Sequence, residues 1–158
     1  MERAGWWANS RGEGYVAVQA VLMLLVAGAP FYDPARWSPH VLLAGAGIAL
    51  GLAGAVFALG GVASLGRNLT PMPKPKEGAV LVESGPYALV RHPIYAGIGL
   101  AGLGWALAWR SPIALALAIL LLAFFDIKAR LEERWLVQAY PGYADYRRRV
   151  AKLIPFLY

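Results

Sequence analysis

An uncharged apolar run from Val41 to Leu65 constrains this chain more than any other feature of its sequence. A helix needs about 20 consecutive apolar residues to cross a bilayer, so the run predicts a membrane span. Its small residues, including Gly47 and Gly51 four positions apart, favour close packing against another helix over chemistry. Because 59% of the chain is hydrophobic and its mean hydropathy is +0.51, we predict one integral-membrane domain covering residues 1–158.

Further apolar segments lead to an all-α prediction, a polytopic membrane protein with about four transmembrane helices. The spans are expected at about 15–32, 41–65, 93–109 and 112–126. Pro93 and Pro112 suit the first turn of a helix, where the missing N–H is not needed. No helix breaker follows the fourth span before Pro141, so this helix should continue out of the bilayer. Residues 142–153 then predict a cytosolic amphipathic helix at the membrane interface.

The distribution of positive charge predicts the orientation of these helices. The chain has a formal charge of +6, and all its Lys and Arg residues except Arg36 and Arg110 fall on one predicted side. The positive-inside rule puts that side, with both termini, in the cytoplasm. We expect the protein to lie in the cytoplasmic (inner) membrane. The basic residues alternate with apolar runs and have no RNA-stacking motif beside them, which argues against nucleic-acid binding. We expect the charge to attract anionic lipid headgroups instead.

The residue types also limit the chemistry. The chain has no cysteine, which excludes disulfides, thiolate nucleophiles and cysteine-based metal sites. Its two histidines, His40 and His92, are far apart, so no metal site is expected. The first apolar run resembles a signal peptide only loosely, because Pro30 directly follows its small residues; we expect the run to be retained.

Two polar clusters flank the last two predicted spans. Arg91 and His92 precede the third span, within the stretch GPYALVRHPIYAG, and Glu132 and Glu133 follow the fourth. Both clusters should emerge on the same side of the membrane. Polar groups at this boundary are costly unless they bind something. These residues alone leave open four roles: topology determinants or headgroup anchors, a structural ion-pair network, a proton path, or a polar cofactor site.

The clusters lie in two blocks that resemble a known family. GPYALVRHPIYAG and EERWLVQAYPGYADYRRRVAKLIP are similar to motifs of the isoprenylcysteine carboxyl methyltransferase and phospholipid N-methyltransferase superfamily of integral-membrane enzymes. The similarity covers about residues 64–155; Tyr140-Pro141-Gly142 stands where Phe-Gly is more usual. It implies S-adenosylmethionine as cofactor, S-adenosylhomocysteine as product, and a lipophilic or lipidated acceptor, either an isoprenylcysteine-type carboxylate or a phospholipid amine.

The resemblance also implies roles for individual residues. His92 and the backbone near it would hold the methionine part of the cofactor, and Glu132 or Glu133 would bind its polar groups. Arg91 would pair with a carboxylate of Glu or of the substrate. Glu133 would be the catalytic base where an amine acceptor must lose a proton. The other expected cofactor contacts, all within the site segments 82–97 and 128–155, are Val82, Gly85, Pro86, Tyr87, Leu89, Tyr95 and Gly97.

Two other functions stay open at this point. The superfamily also resembles sterol reductases, whose related C-terminal half binds NADPH, although this chain lacks their extra spans. A non-enzymatic membrane scaffold would bind no cofactor. The sequence does not indicate the oligomeric state.

Overall fold

The computed structural model describes residues 12–37 and 41–158; His40 and the N-terminal residues before Gly12 lie outside this part. The described part contains five α-helices and, apart from one isolated bridge, no strand pairing. Short 3₁₀ turns occur at Gly66–Asn68 and Gly85–Ala88. The helices are α1 (Glu13–Tyr32), α2 (Val41–Leu65), α3 (Pro93–Trp109), α4 (Pro112–Ala139) and α5 (Tyr143–Arg149).

Three helices of the described part are long and apolar enough to cross a membrane: α1, α2 with its 3₁₀ extension, and α4. Helix α3 is also apolar but has 17 residues, so the count of four spans stays a prediction. Helix α4 has 28 residues, a length of about 42 Å at about 1.5 Å per residue. It is therefore longer than a bilayer core of about 30 Å and continues into the polar site segment.

Helices α2 and α3 pack with their backbones in contact through glycines. A Cβ added to Gly104 would lie 2.3 Å from the backbone nitrogen of Gly51 and 2.6 Å from the carbonyl oxygen of Gly47. A Cβ on Gly97 would lie 2.6 Å from the carbonyl oxygen of Gly54. Small residues at such contacts maximise the van der Waals packing that holds helices together in lipid.

Helices α1 and α4 pack against the other side of α3. Their contact is a cluster of buried apolar side chains, and the indole of Trp105 on α3 donates to the carbonyl oxygen of Ala27 on α1 at 3.3 Å. The first helix thus belongs to the same bundle as the C-terminal half of the chain. The buried cluster consists of Leu22, Val26, Ala118, Leu121 and Phe125.

The loop after α1 and the turn between α3 and α4 meet at one end of the bundle. The Trp37 backbone N–H donates to the Arg110 carbonyl at 3.1 Å. The Asp33 carboxylate accepts from the Ser111 hydroxyl at 2.5 Å and from the Ile113 N–H at 3.1 Å, at the start of α4. These bonds satisfy donors that a helix N-terminus leaves unpaired. The Arg91–His92 segment lies at the other end of α3.

The amphipathic helix predicted for residues 142–153 is shorter in the structure. Helix α5 ends at Arg149, and the next residues run beside the segment that precedes α3. The N–H groups of Arg91 and His92 donate to the carbonyl oxygens of Ala151 and Lys152, at 2.8 and 3.1 Å. These groups precede Pro93 and have no helical partner, so an extended strand that satisfies them replaces the last helical turn.

Candidate active site

A cavity of about 340 Å³ lies where α1, α3 and α4 meet the loop between α2 and α3. This volume is within the range of small-molecule sites. Its lining is predominantly apolar, with a polar group of His92, Tyr95, Lys128 and Glu132 on one side. The loop residues that cover it are Leu69, Thr70, Pro71, Met72, Pro73, Pro75, Ala79, Val80, Leu81 and Val82.

His92 forms the centre of the polar side and is held between the two glutamates. Its Nδ1 lies 3.3 Å from a carboxylate oxygen of Glu132, and its Nε2 lies 3.3 Å from one of Glu133. Burial disfavours the charged imidazole, but hydrogen bonds and charge attraction from both glutamates outweigh this and raise the pKa of His92. Because both ring nitrogens face carboxylates, the arrangement favours the imidazolium, in which both nitrogens donate.

We expect the stability of the folded protein to fall as pH rises above the pKa of an unfolded histidine, about 6.5. A raised pKa for His92 means that the folded state binds more protons than the unfolded state. The stabilisation is complete below about pH 6.5 and disappears as pH rises through the folded-state pKa. Thermal unfolding in detergent across this pH window should therefore show that the melting temperature falls more steeply with pH for the parent than for His92→Gln. If the melting temperatures of the two proteins fall in parallel, the pKa of His92 is not raised in the folded state.

Glu133 lies behind His92, on the side away from the cavity. Its Oε1 accepts from Arg91 Nε at 2.8 Å, and its Oε2 lies 3.4 Å from Arg147 Nε. The residue is 3% exposed. Arg91 also donates to the carbonyl oxygens of Arg147 and Val150. This carboxylate therefore links α4, α5 and the segment before α3.

Glu132, in contrast, faces the cavity. Its Oε1 accepts a hydrogen bond from the Tyr95 hydroxyl at 2.8 Å. The Tyr95 ring stacks between His92, with centroids 5.6 Å apart, and Phe125, at 4.7 Å. These contacts fix the orientation of the Glu132 carboxylate beside the imidazole.

Sequence reasoning missed a buried lysine and its partner on the first helix. Lys128 is 1% exposed; its ammonium donates to the Gln19 side chain at 2.6 Å and to the Pro71 carbonyl at 3.2 Å. It also lies 5.1 Å from the centre of the Tyr95 ring. Two signals were present in the sequence: Gln19 is the polar residue in the first apolar run, and Lys128 stands one helical turn before Glu132.

Three tyrosines that the sequence analysis did not assign also line the cavity, namely Tyr140, Tyr143 and Tyr146. The Tyr146 hydroxyl donates to the Tyr87 carbonyl at 2.6 Å, which joins α5 to the stretch before α3. Burial raises the pKa of Tyr143, whose hydroxyl is buried without a hydrogen-bond partner within the described residues. A buried polar atom of this kind is costly unless a ligand satisfies it.

The residues expected to contact a cofactor fall into two groups in the structure. Gly85 has a φ of 61° in the turn before α3, Pro86 packs near Gly60 of α2, and Gly97 faces the α2 backbone. Leu89 is 48% exposed. The first group lines the cavity and consists of Val82, Tyr87, Arg91, His92, Tyr95 and Glu132. The second group does not line it and consists of Gly85, Pro86, Leu89, Gly97 and Glu133.

In the described part of the chain, no group of three or more His, Asp or Glu side chains could hold a metal ion.

Two proteins of known name are similar to this chain in sequence. The chain is 32% identical over 148 residues to the cobalt-zinc-cadmium resistance protein CzcN of Cupriavidus metallidurans, covering 90% of this chain and 62% of that protein. It is 34% identical over 86 residues to the protein-S-isoprenylcysteine O-methyltransferase of Saccharomyces cerevisiae, covering 53% of this chain and 36% of that enzyme. The chain thus spans less than two thirds of the length of these relatives.

A solved structure and the sequence profile of a protein family also match this chain. The structure of a eukaryotic intramembrane Ras methyltransferase, isoprenylcysteine carboxyl methyltransferase, superposes with a TM-score of 0.69 at 22% identity. The match covers 99% of this chain and 55% of that protein, and it shows a shared fold. The sequence profile of the phospholipid methyltransferase family matches residues 43–142. The chain is an integral membrane protein that belongs to the phospholipid methyltransferase family.

Proposed function

We propose that this chain transfers a methyl group from S-adenosylmethionine to a lipophilic acceptor at the edge of the membrane. One observation carries the proposal: the buried His92, with the partly buried Glu132 and Tyr95, faces a predominantly apolar cavity at one end of a bundle of apolar helices. A polar cofactor and an apolar acceptor could meet there without either one crossing the other's preferred environment. The isoprenylcysteine methyltransferases among the relatives support this reaction class.

The residues on the polar side fit the charges of the cofactor. Its carboxylate needs a cationic partner, which the His92 imidazolium and Arg91 would provide. Its ammonium and sulfonium need anionic or aromatic partners, which Glu132 and the tyrosine rings of the cavity lining would provide. The buried Tyr143 hydroxyl would gain the hydrogen bond that it lacks within the described residues. Among the glutamates, we assign the cofactor contact to Glu132, because Glu133 is already held on three sides.

S-adenosylmethionine, when bound, supplies a methyl group on a positively charged sulfur. The protein's contribution would be to align the acceptor with that methyl and to exclude water, and alignment alone can supply up to about 7–11 kcal/mol. The loop at Leu69–Pro73 covers the cavity. A carboxylate acceptor arrives ionised and needs no base. An amine acceptor must lose a proton, and Glu132 is then better placed to receive it than Glu133, because Glu132 faces the cavity.

We expect S-adenosylhomocysteine to raise the melting temperature of the purified protein in detergent, while NADPH at the same concentration does not. A ligand at 100 times its Kd stabilises the folded state by about 2.7 kcal/mol. Glu132→Gln should weaken the shift, and Asp145→Asn, at a position exposed by 66%, should keep it. A shift with NADPH alone would favour a reductase, and no shift with either ligand would favour a scaffold.

Two experiments address the acceptor and the orientation. Incubating the protein with native lipid extract and isotopically labelled S-adenosylmethionine, followed by mass spectrometry, would identify the methylated lipid.

We also propose that both termini face the cytoplasm, because the basic loops share that side. The chain has no cysteine, so Lys74→Cys introduces a single thiol that can be labelled in inner-membrane vesicles. Its labelling in inside-out but not right-side-out vesicles is expected, and the reverse pattern would refute this orientation.

A further inference from the structure

A second concave surface lies on the side of α4 and α5 away from the cavity. We call it the basic groove; Glu133 is its acidic residue, and its apolar residues include Val137, Phe156 and Leu157. Cations therefore dominate its charge. Its seven cationic residues are Arg91, Arg130, Arg134, Arg147, Arg148, Arg149 and Lys152.

Three arginines leave much of their charge accessible to a ligand. The Arg134 side chain is exposed and has no hydrogen bond or ion pair with any other described residue. Arg130 stands one turn earlier on α4 and is 62% exposed, although it bonds Asp126 at 2.8 Å. Arg147, on α5, is 55% exposed. A phosphate matches this set, because guanidinium groups bind phosphate oxygens through paired, charge-assisted hydrogen bonds.

The apolar edge of the basic groove lies at the depth where the membrane should end. Phe156 and Leu157 are 96% and 81% exposed at the tip of a turn. The Tyr158 hydroxyl holds this turn against α4 by donating to Asp126 at 3.1 Å. Asp126 directly follows the apolar run that ends at Phe125. Two large apolar side chains exposed at this level suit the interfacial layer of a bilayer better than water.

We propose that the basic groove binds the phosphate of an anionic membrane glycerophospholipid. Arg130, Arg134 and Arg147 contact the phosphate, while Phe156 and Leu157 enter the adjoining interfacial layer. Positive charge alone would also suit free phosphate; the exposed apolar pair beside it is what selects a lipid. Side-chain contacts link the groove to the cavity lining, because Arg147 contacts Glu133, which holds His92.

The test measures lipid binding to the full chain in detergent by native mass spectrometry, with phosphatidylglycerol and phosphatidylcholine compared. Replacing Arg130 and Arg134 together with alanine should weaken phosphatidylglycerol binding about 30-fold, since each basic side chain near an anionic surface contributes roughly a five-fold preference. Phosphatidylcholine binding should change less, because its choline cation is repelled by the arginines and already offsets the attraction of its phosphate. Lys74→Ala is the matched control, because Lys74 is an exposed cation outside the groove.

Two further arms separate the lipid from other ligands. Phe156→Ser with Leu157→Ser should also weaken phosphatidylglycerol binding, and inorganic phosphate in excess should not displace the lipid. Displacement by phosphate would show a free-phosphate site and overturn the proposal, as would equal lipid binding by the double arginine variant and Lys74→Ala. Arg134→Ala alone, which breaks no side-chain hydrogen bond or ion pair within the described residues, guards against misfolding: it should weaken binding about five-fold at an unchanged melting temperature.

Discussion

Glu133→Ala is expected to destabilise the folded protein by roughly 3–5 kcal/mol, the cost of leaving a buried ion pair without one partner. Glu133 is 3% exposed and contacts Arg91, His92 and Arg147. Without it, Arg91 and His92 remain buried next to one fewer carboxylate. The loss is large relative to a typical total stability of about 5–15 kcal/mol.

Glu133→Ala should also weaken cofactor binding, for a reason that is separate from the loss of stability. Glu133 is one of the two carboxylates that raise the pKa of His92. When it is removed, a smaller fraction of the imidazole is charged at neutral pH, and the cofactor carboxylate loses attraction. Glu133→Gln retains the size and a hydrogen-bonding group but not the charge, so it should lose cofactor affinity with a smaller loss of stability.

The measurement is thermal unfolding in detergent with and without S-adenosylhomocysteine. Asp145→Ala is the matched control, because Asp145 and Arg148 form an ion pair exposed by 66% and 75%. Exposed pairs contribute about 1 kcal/mol or less, so this variant should melt close to the parent. If Glu133→Ala melts no lower than Asp145→Ala, Glu133 does not organise the site in the way its contacts indicate.

The sequence predicted the elements that depend on local chemistry. Helix α3 begins at Pro93 and α4 at Pro112, as the missing N–H of proline allows. The juxtaposition of Arg91–His92 with Glu132–Glu133 also followed from the sequence, because one helix begins and the next one ends on the same side. The structure brings these groups within 3.3 Å of each other.

The contacts that sequence reasoning missed depend on tertiary packing. No local pattern places Gln19 of α1 next to Lys128, because 109 residues separate them. The segment after Arg149 has a helical pattern, yet its carbonyl oxygens accept hydrogen bonds from the N–H groups of Arg91 and His92, which precede Pro93 and have no helical partner. Gly97 was expected to line the cleft, but motif similarity does not distinguish a glycine that faces a cavity from one that faces a neighbouring helix.

Gly104→Ala is expected to lower stability by about 3 kcal/mol, near the upper end of typical overpacking costs. The added methyl would lie 2.3 Å from a backbone nitrogen and 2.6 Å from a carbonyl oxygen of α2. Neither atom can rotate away as a side chain would, so α2 and α3 must separate. The variant should melt well below the parent in detergent, although Gly104 is not part of the cavity lining.

Gly51→Ala provides a matched control on the partner helix. Its added methyl would meet no atom closer than 3.9 Å, an ordinary van der Waals distance. Alanine is also favoured over glycine inside a helix by roughly 0.5–1 kcal/mol, so this variant should melt at or above the parent temperature. At temperatures where both variants are folded, they should bind S-adenosylhomocysteine like the parent. Equal melting temperatures for the two variants would mean that α2 and α3 do not pack backbone to backbone, and the wall of the cavity that depends on this contact would have to be placed differently.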